Sequence, residues 1–264
     1  MQDAARAGGR AAMAVYGTHF AVECKSDGSP VSEADRRAER VIVARLSEAF
    51  PDVPIVAEEE ASAAGAPAVA SRFFLVDPLD GTKEFIARNG EFTVNIALIE
   101  NGVPVAGVVV APALNVIYVG VMGEGASKGN DREGPGTMTA IRTRPCPNPP
   151  VALASRSHLT PATEFVLRRA GVQECRNIGS SLKFCLLAEG VADFYPRLGP
   201  TMEWDTAAGD AVLRAAGGLV VQLDGKPLRY GRTNSAAGRD FENPHFLALG
   251  DPDRFAGFLP NAAA

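Results

Sequence analysis

The chain has 264 residues, 46% of them hydrophobic, and a formal net charge of −5. That is enough apolar material for a substantial core, in one large domain or two modest ones. The negative balance argues against nucleic acid or anionic lipid as a whole-molecule partner, so an anionic substrate would need local cations or bound metal. Cys24, Cys146, Cys175 and Cys185 form no C-x-x-C pair and read as reduced thiols of a cytosolic protein. The Ala-rich start, broken by Arg6 and Arg10, lacks the apolar centre of a signal peptide. No stretch approaches the roughly 18 apolar residues of a membrane span.

In chain order, residues 3–18 predict a helix weakened by Gly8 and Gly9. "KSDGSPVSEAD" is turn-rich and leads into an amphipathic helix capped by Ser32, with Asp35 in its first turn. Ala38, Val41, Ile42, Leu46 and Phe50 supply its apolar face. "VPIVAEEE" reads as a short strand ending in three glutamates, and "ASAAGAPAVAS" as a surface loop. "RFFLV" is a second buried strand, followed directly by "DPLDGT" and a short helix, "KEFIAR", stopped at Asn89-Gly90. "FTVNIALIE" and "VPVAGVVVAPA" predict a hairpin across Asn101-Gly102. "NVIYVGVM" continues the meander, and "GEGASKGNDREGPG" reads as a polar loop.

The proline density of "TRPCPNPP" marks a boundary between an N-terminal α+β domain, 1–145, and a C-terminal α/β domain, 146–264. Beyond it come a strand, "VALAS", and two helices, "PATEFVLRRAG" and "SLKFCLLAEG". A strand, "VADFYPR", and a helix opening at Asp205 follow. "LVVQL" and "PLRYG" predict a hairpin across Asp224-Gly225.

Glu58 to Glu60, the pair Asp77 and Asp80, and Asp205 each fall at a strand end or helix start, where side chains from different elements converge. Taken singly, "DPLDG" is an ordinary turn, "EEE" a solvated face and Asp205 a helix cap. Together, converging carboxylates repel and call for a cation, and oxygen ligands without clustered His or Cys favour Mg²⁺ over zinc. His19, His158 and His245 are scattered and lack ligand spacing. The D-x-D-G-T motif of haloacid dehalogenase-like phosphatases does not fit, because Pro78 stands where the nucleophilic Asp would be.

An upstream Asp35, "EEE" from Glu58, "DPLDGT" from Asp77 and Trp204-Asp205 run in order over nearly the whole chain. This pattern resembles the inositol monophosphatase superfamily of Mg²⁺-dependent, lithium-sensitive phosphatases. "DPLDGTKEFIARNGEFTVNIALIENG", "GSSLKFCLLAEGVADFYPR" and "MEWDTAAGDAVL" look like its CysQ-type 3'(2'),5'-bisphosphate nucleotidase subgroup. Inositol-specific members carry "TNF" where this chain has Lys83-Glu84-Phe85.

The resemblance implies an α+β, layered sugar-phosphatase-like fold, with an antiparallel sheet in the N-terminal half and a mixed sheet in the C-terminal half. It implies two or three Mg²⁺ ions, one held by Glu58, Asp77 and the Leu79 carbonyl, a second by Asp77, Asp80 and Asp205. Glu58 and Thr82 would orient and deprotonate the attacking water, with Asp35 supporting Thr82. Gly81 and Thr82 suit a phosphate oxygen. Ser181, Lys183, Arg197 and Glu203 are expected to join Glu58, Leu79, Asp80 and Asp205 around the substrate, and Lys25 to lie near the metals. Trp204 is expected to pack in the core. The implied substrate is adenosine 3',5'-bisphosphate, cleaved to AMP and phosphate. An inositol or sugar phosphate, or metal binding without turnover, are the competing readings. A cytoplasmic enzyme is implied, with no nucleic-acid partner. The resemblance also leaves room for a homodimer and for attachment to the inner membrane face.

Overall fold

The computed structural model describes residues 1–24, 30–64, 69–132, 138–156, 160–233 and 239–256. The N-terminal half contains α1 (Gln2–Tyr16), β1 (Val22–Cys24), β2 (Pro30–Ser32), α2 (Glu33–Ala49), β3 (Ile55–Ala57), α3 (Glu58–Ala64), β4 (Arg72–Asp80), α4 (Thr82–Ile86), β5 (Thr93–Glu100), β6 (Val103–Ala111), β7 (Val116–Val121), β8 (Gly125–Asn130) and β9 (Thr139–Ile141). The C-terminal half contains β10 (Val151–Ser155), α5 (Pro161–Arg169), β11 (Glu174–Ile178), α6 (Leu182–Ala188), β12 (Phe194–Arg197), α7 (Ala207–Ala215), β13 (Leu219–Gln222) and β14 (Phe246–Leu249).

Strands β3 to β9 form one seven-stranded sheet in sequence order, antiparallel except for the edge pair β3 and β4. The second sheet has the order β11-β10-β12-β14-β13 and is mixed, with β10 parallel to β11 and β12. Successive side chains of a strand point to opposite faces, and the sheets use this to build layers. On β4, Phe74 and Val76 pack with Ile42 and Leu46 of α2, while Phe73 and Leu75 pack with Phe184 of α6 and Val212 of α7. The second sheet does the same. Tyr195 and Phe246 face α6 and α7, while Phe194 and Leu249 face Leu167 of α5. The order of layers is therefore α1/α2, first sheet, α6/α7, second sheet, α5. The largest apolar cluster draws on both halves of the chain.

Close approach of these layers accounts for several glycines. A Cβ on Gly8 would lie 2.6 Å from Ile42 Cδ1 and one on Gly9 3.2 Å from Pro112 Cβ, so the glycines expected to weaken α1 let it press on α2 and on the end of β6. A Cβ on Gly107 would lie 2.4 Å from the Ala208 carbonyl oxygen, and one on Gly120 2.5 Å from Val212 Cα. Both positions hold α7 directly against β6 and β7.

Several expectations change. Residues 125–130 of the expected polar loop form β8, because β7 and β9 pair with its backbone on either side. "PLRYG" is no strand, although Val221 and Pro227 form an isolated bridge. Asp205 sits in a 3₁₀ turn, Glu203–Asp205, ahead of α7 rather than at the helix start. Residues 25–29, including Lys25, lie outside the described residues, as do 65–68 and 133–136 of the two expected loops and His158. Among the described residues no helix is long and apolar enough to cross a membrane. Cys146, Cys175 and Cys185 are free thiols.

Candidate active site

The site grows from the end of β4. Two residues three apart on a regular strand point to opposite faces. Here Asp77 pairs with Asn95 and Asp80 with Thr93, so β4 spends one more residue than β5 between these pairs. This bulge at Pro78-Leu79 turns Asp80 back to the face of Asp77, the face that α6 and α7 cover. The Leu79 N–H donates to Asp77 Oδ1 at 2.9 Å and fixes that carboxylate. Gly81 follows with φ of +92°, a left-handed turn that starts α4.

Three further elements converge here. Because Ala57 of β3 lies beside Val76 of β4, Glu58 at the start of α3 arrives next to Asp77. Asp205 comes from the 3₁₀ turn before α7, with Oδ2 accepting the Met202 N–H at 2.9 Å. Asp35, in the first turn of α2, accepts the Ser32 N–H and hydroxyl, both at 2.8 Å, through Oδ2. Its Oδ1 accepts the Thr82 hydroxyl at 3.3 Å.

The carboxylates act on one another electrically. Asp77 is raised well above the usual carboxylate range by burial, then by the charges of Glu58, Asp80 and Asp205. Asp205 is raised by burial and by Asp80 and Glu58. Burial also raises Asp80, against the opposing pull of the Lys183 ammonium and of hydrogen bonds from Ser181 and Asn95. Glu39, one helical turn beyond Asp35, accepts the N–H groups of Glu59 and Glu60 at 2.8 and 3.0 Å. It thereby anchors the helix that carries Glu58, and burial pushes its carboxyl up to about 7.

These residues suit a hard divalent cation. The donors are all oxygens, they gather on one face, and they hold each other's charge out of its preferred range. Among the described residues no three carboxylate, imidazole or thiol side chains already surround one point. Asp77 and Asp205 each turn one oxygen to a backbone N–H instead.

Glu58, Asp80, Gly81, Thr82 and Asp205 line a cleft of about 260 Å³ whose opposite wall comes from the C-terminal half. That wall includes Ser180, Lys183 and Arg197. Lys183 is buried, with its ammonium 3.3 Å from the Ile178 carbonyl and 5.1 Å from the centre of the Tyr195 ring. Burial lowers it to about 8, with Asp80 opposing. Arg197 donates through Nη2 to the Pro200 carbonyl at 2.5 Å, and its buried Nε has no hydrogen-bond partner among the described residues.

Two residues expected at the substrate lie elsewhere. Glu203 is fully buried and accepts the Gly231 and Arg232 N–H groups at 2.5 and 3.0 Å, pinning a distant loop. Ser181 is buried behind the site, donating to the Asp205 carbonyl at 2.5 Å and accepting from Asn95 Nδ2 at 3.0 Å. Asp77 and Leu79 are buried beneath the cleft floor. Trp204 is buried against Phe241, and His19 and His245 are exposed. Asn95 and Glu39 escaped the sequence reading. A lone amide inside "TVNIAL" and an acid four residues after Asp35 were the available signals.

The sequence profile of the inositol monophosphatase family matches residues 1–249. The 3'(2'),5'-bisphosphate nucleotidase CysQ of Escherichia coli strain K12 is 48% identical over 92% of this chain and 95% of its own. CysQ of Buchnera aphidicola is 40% identical over 92% and 90%. The crystal structure of CysQ from Bacteroides thetaiotaomicron, 39% identical, superposes with a TM-score of 0.75 over 94% of each chain. The IMPase of Thermotoga maritima, 28% identical, gives 0.73 over 94% and 90%. The chain therefore belongs to the inositol monophosphatase family, whose site takes a divalent metal.

Proposed function

We propose that the protein is a Mg²⁺-dependent 3'(2'),5'-bisphosphate nucleotidase of the cytoplasm that removes the 3'-phosphate of adenosine 3',5'-bisphosphate, giving AMP and phosphate by direct attack of water. The observation that carries this reading is the division of the cleft. Glu58, Asp80 and Asp205 line it, with Asp77 buried beside them, and the C-terminal half adds the cations Lys183 and Arg197 to the same lining. A floor of carboxylates suits cations, and a wall of cations suits the second phosphate of a bisphosphate. The close relation to the Escherichia coli enzyme supports the same substrate class.

Glu58, Asp77, the Leu79 carbonyl, Asp80 and Asp205 would hold two or three Mg²⁺ ions. Bound there, they supply positive charge for the phosphoryl oxygens and acidify water. The protein's own groups do the orienting. Thr82 donates its hydroxyl hydrogen to Asp35, so its oxygen lone pairs are left to accept from the attacking water. Glu58, which lines the cleft, would receive the proton. Gly81 and Thr82, which also line the cleft, would offer their N–H groups to a phosphate oxygen.

The test is phosphate release from adenosine 3',5'-bisphosphate and from inositol 1-phosphate, in Mg²⁺ with and without lithium. Preference for the nucleotide, suppressed by lithium, is expected. Preference for the inositol ester would keep the mechanism and replace the substrate. Release from neither would overturn the enzymatic reading.

A further inference from the structure

The far wall of the cleft is held by a clasp from the N-terminal half. Glu91 lies between α4 and β5, and its Oε2 accepts the Gly179 N–H at 2.7 Å. Arg156 Nη2 donates to both Glu91 carboxylate oxygens at 2.9 Å and to the Asn177 carbonyl at 3.0 Å. The segment so gripped runs directly into Ser180 and Lys183, both on the cleft wall.

This segment is under local strain. Ser180 adopts φ of +50°, a left-handed conformation that a residue with a side chain holds only when its surroundings enforce it. A Cβ on Gly179 would lie 2.6 Å from Glu84 Cγ and 2.8 Å from the Glu91 carbonyl oxygen, so the backbone there is pressed against the N-terminal half. A Cβ on Gly81 would lie 3.3 Å from that same carbonyl oxygen and 3.4 Å from Ser180 Cβ. The phosphate turn, the clasp and the wall therefore meet at one place. Lys183 closes the segment from the other side, its ammonium donating to the Ile178 and Ser180 carbonyls.

We propose that Glu91 is a positioning residue for substrate discrimination. The juxtaposition of its carboxylate with the Gly179 N–H and the Arg156 guanidinium fixes the span between the carboxylate floor and the Ser180–Lys183 wall. That span decides which phosphomonoesters reach both. The proposal rests on the reading that the cleft hydrolyses phosphomonoesters. Arg156 is about half exposed, which limits what the ion pair adds to global stability, and thermal melts of both Glu91 variants are run beside the kinetics to show that they fold.

The experiment compares wild type, Glu91→Gln and Glu91→Ala. Steady-state kinetics are run with adenosine 3',5'-bisphosphate and inositol 1-phosphate, and amide hydrogen exchange is followed over residues 177–183. Gln keeps one acceptor oxygen for the Gly179 N–H and loses the charge and one of the two acceptors for Arg156; Ala loses all of these. For Glu91→Ala, KM for the preferred ester rises about tenfold, as expected for loss of one charge-assisted hydrogen bond, with kcat within about twofold. The preference between the two esters narrows, exchange over 177–183 accelerates, and Glu91→Gln restores most of each effect. Unchanged preference and exchange in Glu91→Ala overturn the proposal. So does an equal fall in kcat for both esters with KM unmoved. If wild type hydrolyses neither ester, the functional reading falls by itself. In that case the exchange rates still decide whether Glu91 holds the wall.

Discussion

Replacing Ser181 with alanine separates two roles for one hydroxyl. The sequence places Ser181 at a helix start beside Lys183, where it reads as a substrate contact. In the structure it is 1% exposed and stands between Asp205 and Asn95. It donates to the Asp205 carbonyl at 2.5 Å and accepts from Asn95 at 3.0 Å. Its loss leaves a buried carbonyl and a buried amide without that partner. At about 1–3 kcal/mol for each unsatisfied group, and with partial relaxation, the variant is destabilised by about 2–4 kcal/mol. For a chain of this size that lowers the melting temperature by about 5–12 °C. Because this hydroxyl holds the backbone of Asp205 and orients Asn95, whose amide also reaches Asp80 at 3.5 Å, Mg²⁺ affinity should also fall, by about 10–100-fold, as when outer-shell partners of metal ligands are removed. Thermal melts in chelator and calorimetric Mg²⁺ titration read the two effects. A rise in KM alone, with melting and Mg²⁺ affinity unchanged, would refute this reasoning and return Ser181 to the substrate.

Thr82→Ala should lower kcat by about a hundredfold, within the range for a lost proton-handling group, while leaving Mg²⁺ affinity near wild type. Equal loss of both would show that Thr82 serves only the fold. Glu39→Ala frees the start of α3 and should weaken Mg²⁺ binding with little change in KM for substrate, read by calorimetry and kinetics. Metal-free protein should lose stability as pH rises. Glu203, raised from 4.5 to about 7, keeps its proton when folded and has released it when unfolded, so ionising it through this window destabilises the fold. Asp77, Asp80 and Asp205 shift the same way, and Mg²⁺ competes with those protons. Stabilisation by Mg²⁺ in thermal melts should therefore grow as pH rises and those protons are released. Gly107→Ala places a methyl 2.4 Å from the Ala208 carbonyl oxygen and should lower the melting temperature by several degrees. An unchanged melt would mean that α7 sits less tightly on the sheet.

The motif residues were legible because their order and neighbours are local. "DPLDGT" announced a turn with two acids, and the Asn101-Gly102 hairpin forms with φ of +50° and +76° at its two central residues. The continuous apolar run "RFFLV" identified β4, which is buried on both faces. What was hidden depends on partners distant in sequence. β8 exists because β7 and β9 offer backbone to pair with, so its own Gly-rich composition carried no signal. β11, "ECRNI", is a polar edge strand without an apolar face. Helix-start chemistry put Ser181 beside Lys183 in the sequence but carried no sign of where its hydroxyl points, which is set by Asn95 and Asp205. Glu203 likewise adjoins the motif and serves a loop that no local pattern connects to it.

The seat of α7 on the first sheet also bears on how the chain is made. Ala97, Ile99 and Val109 face the layer that α7 and α6 complete, and β6 ends at Ala111 whereas α7 begins at Ala207. At usual elongation speeds the ribosome needs roughly 5–20 s to supply that interval. During it, the nascent sheet shows one uncovered apolar face, a target for holding chaperones. The helix that finally shields it follows directly on Asp205, so the carboxylate constellation is assembled in the same late event that ends this exposure.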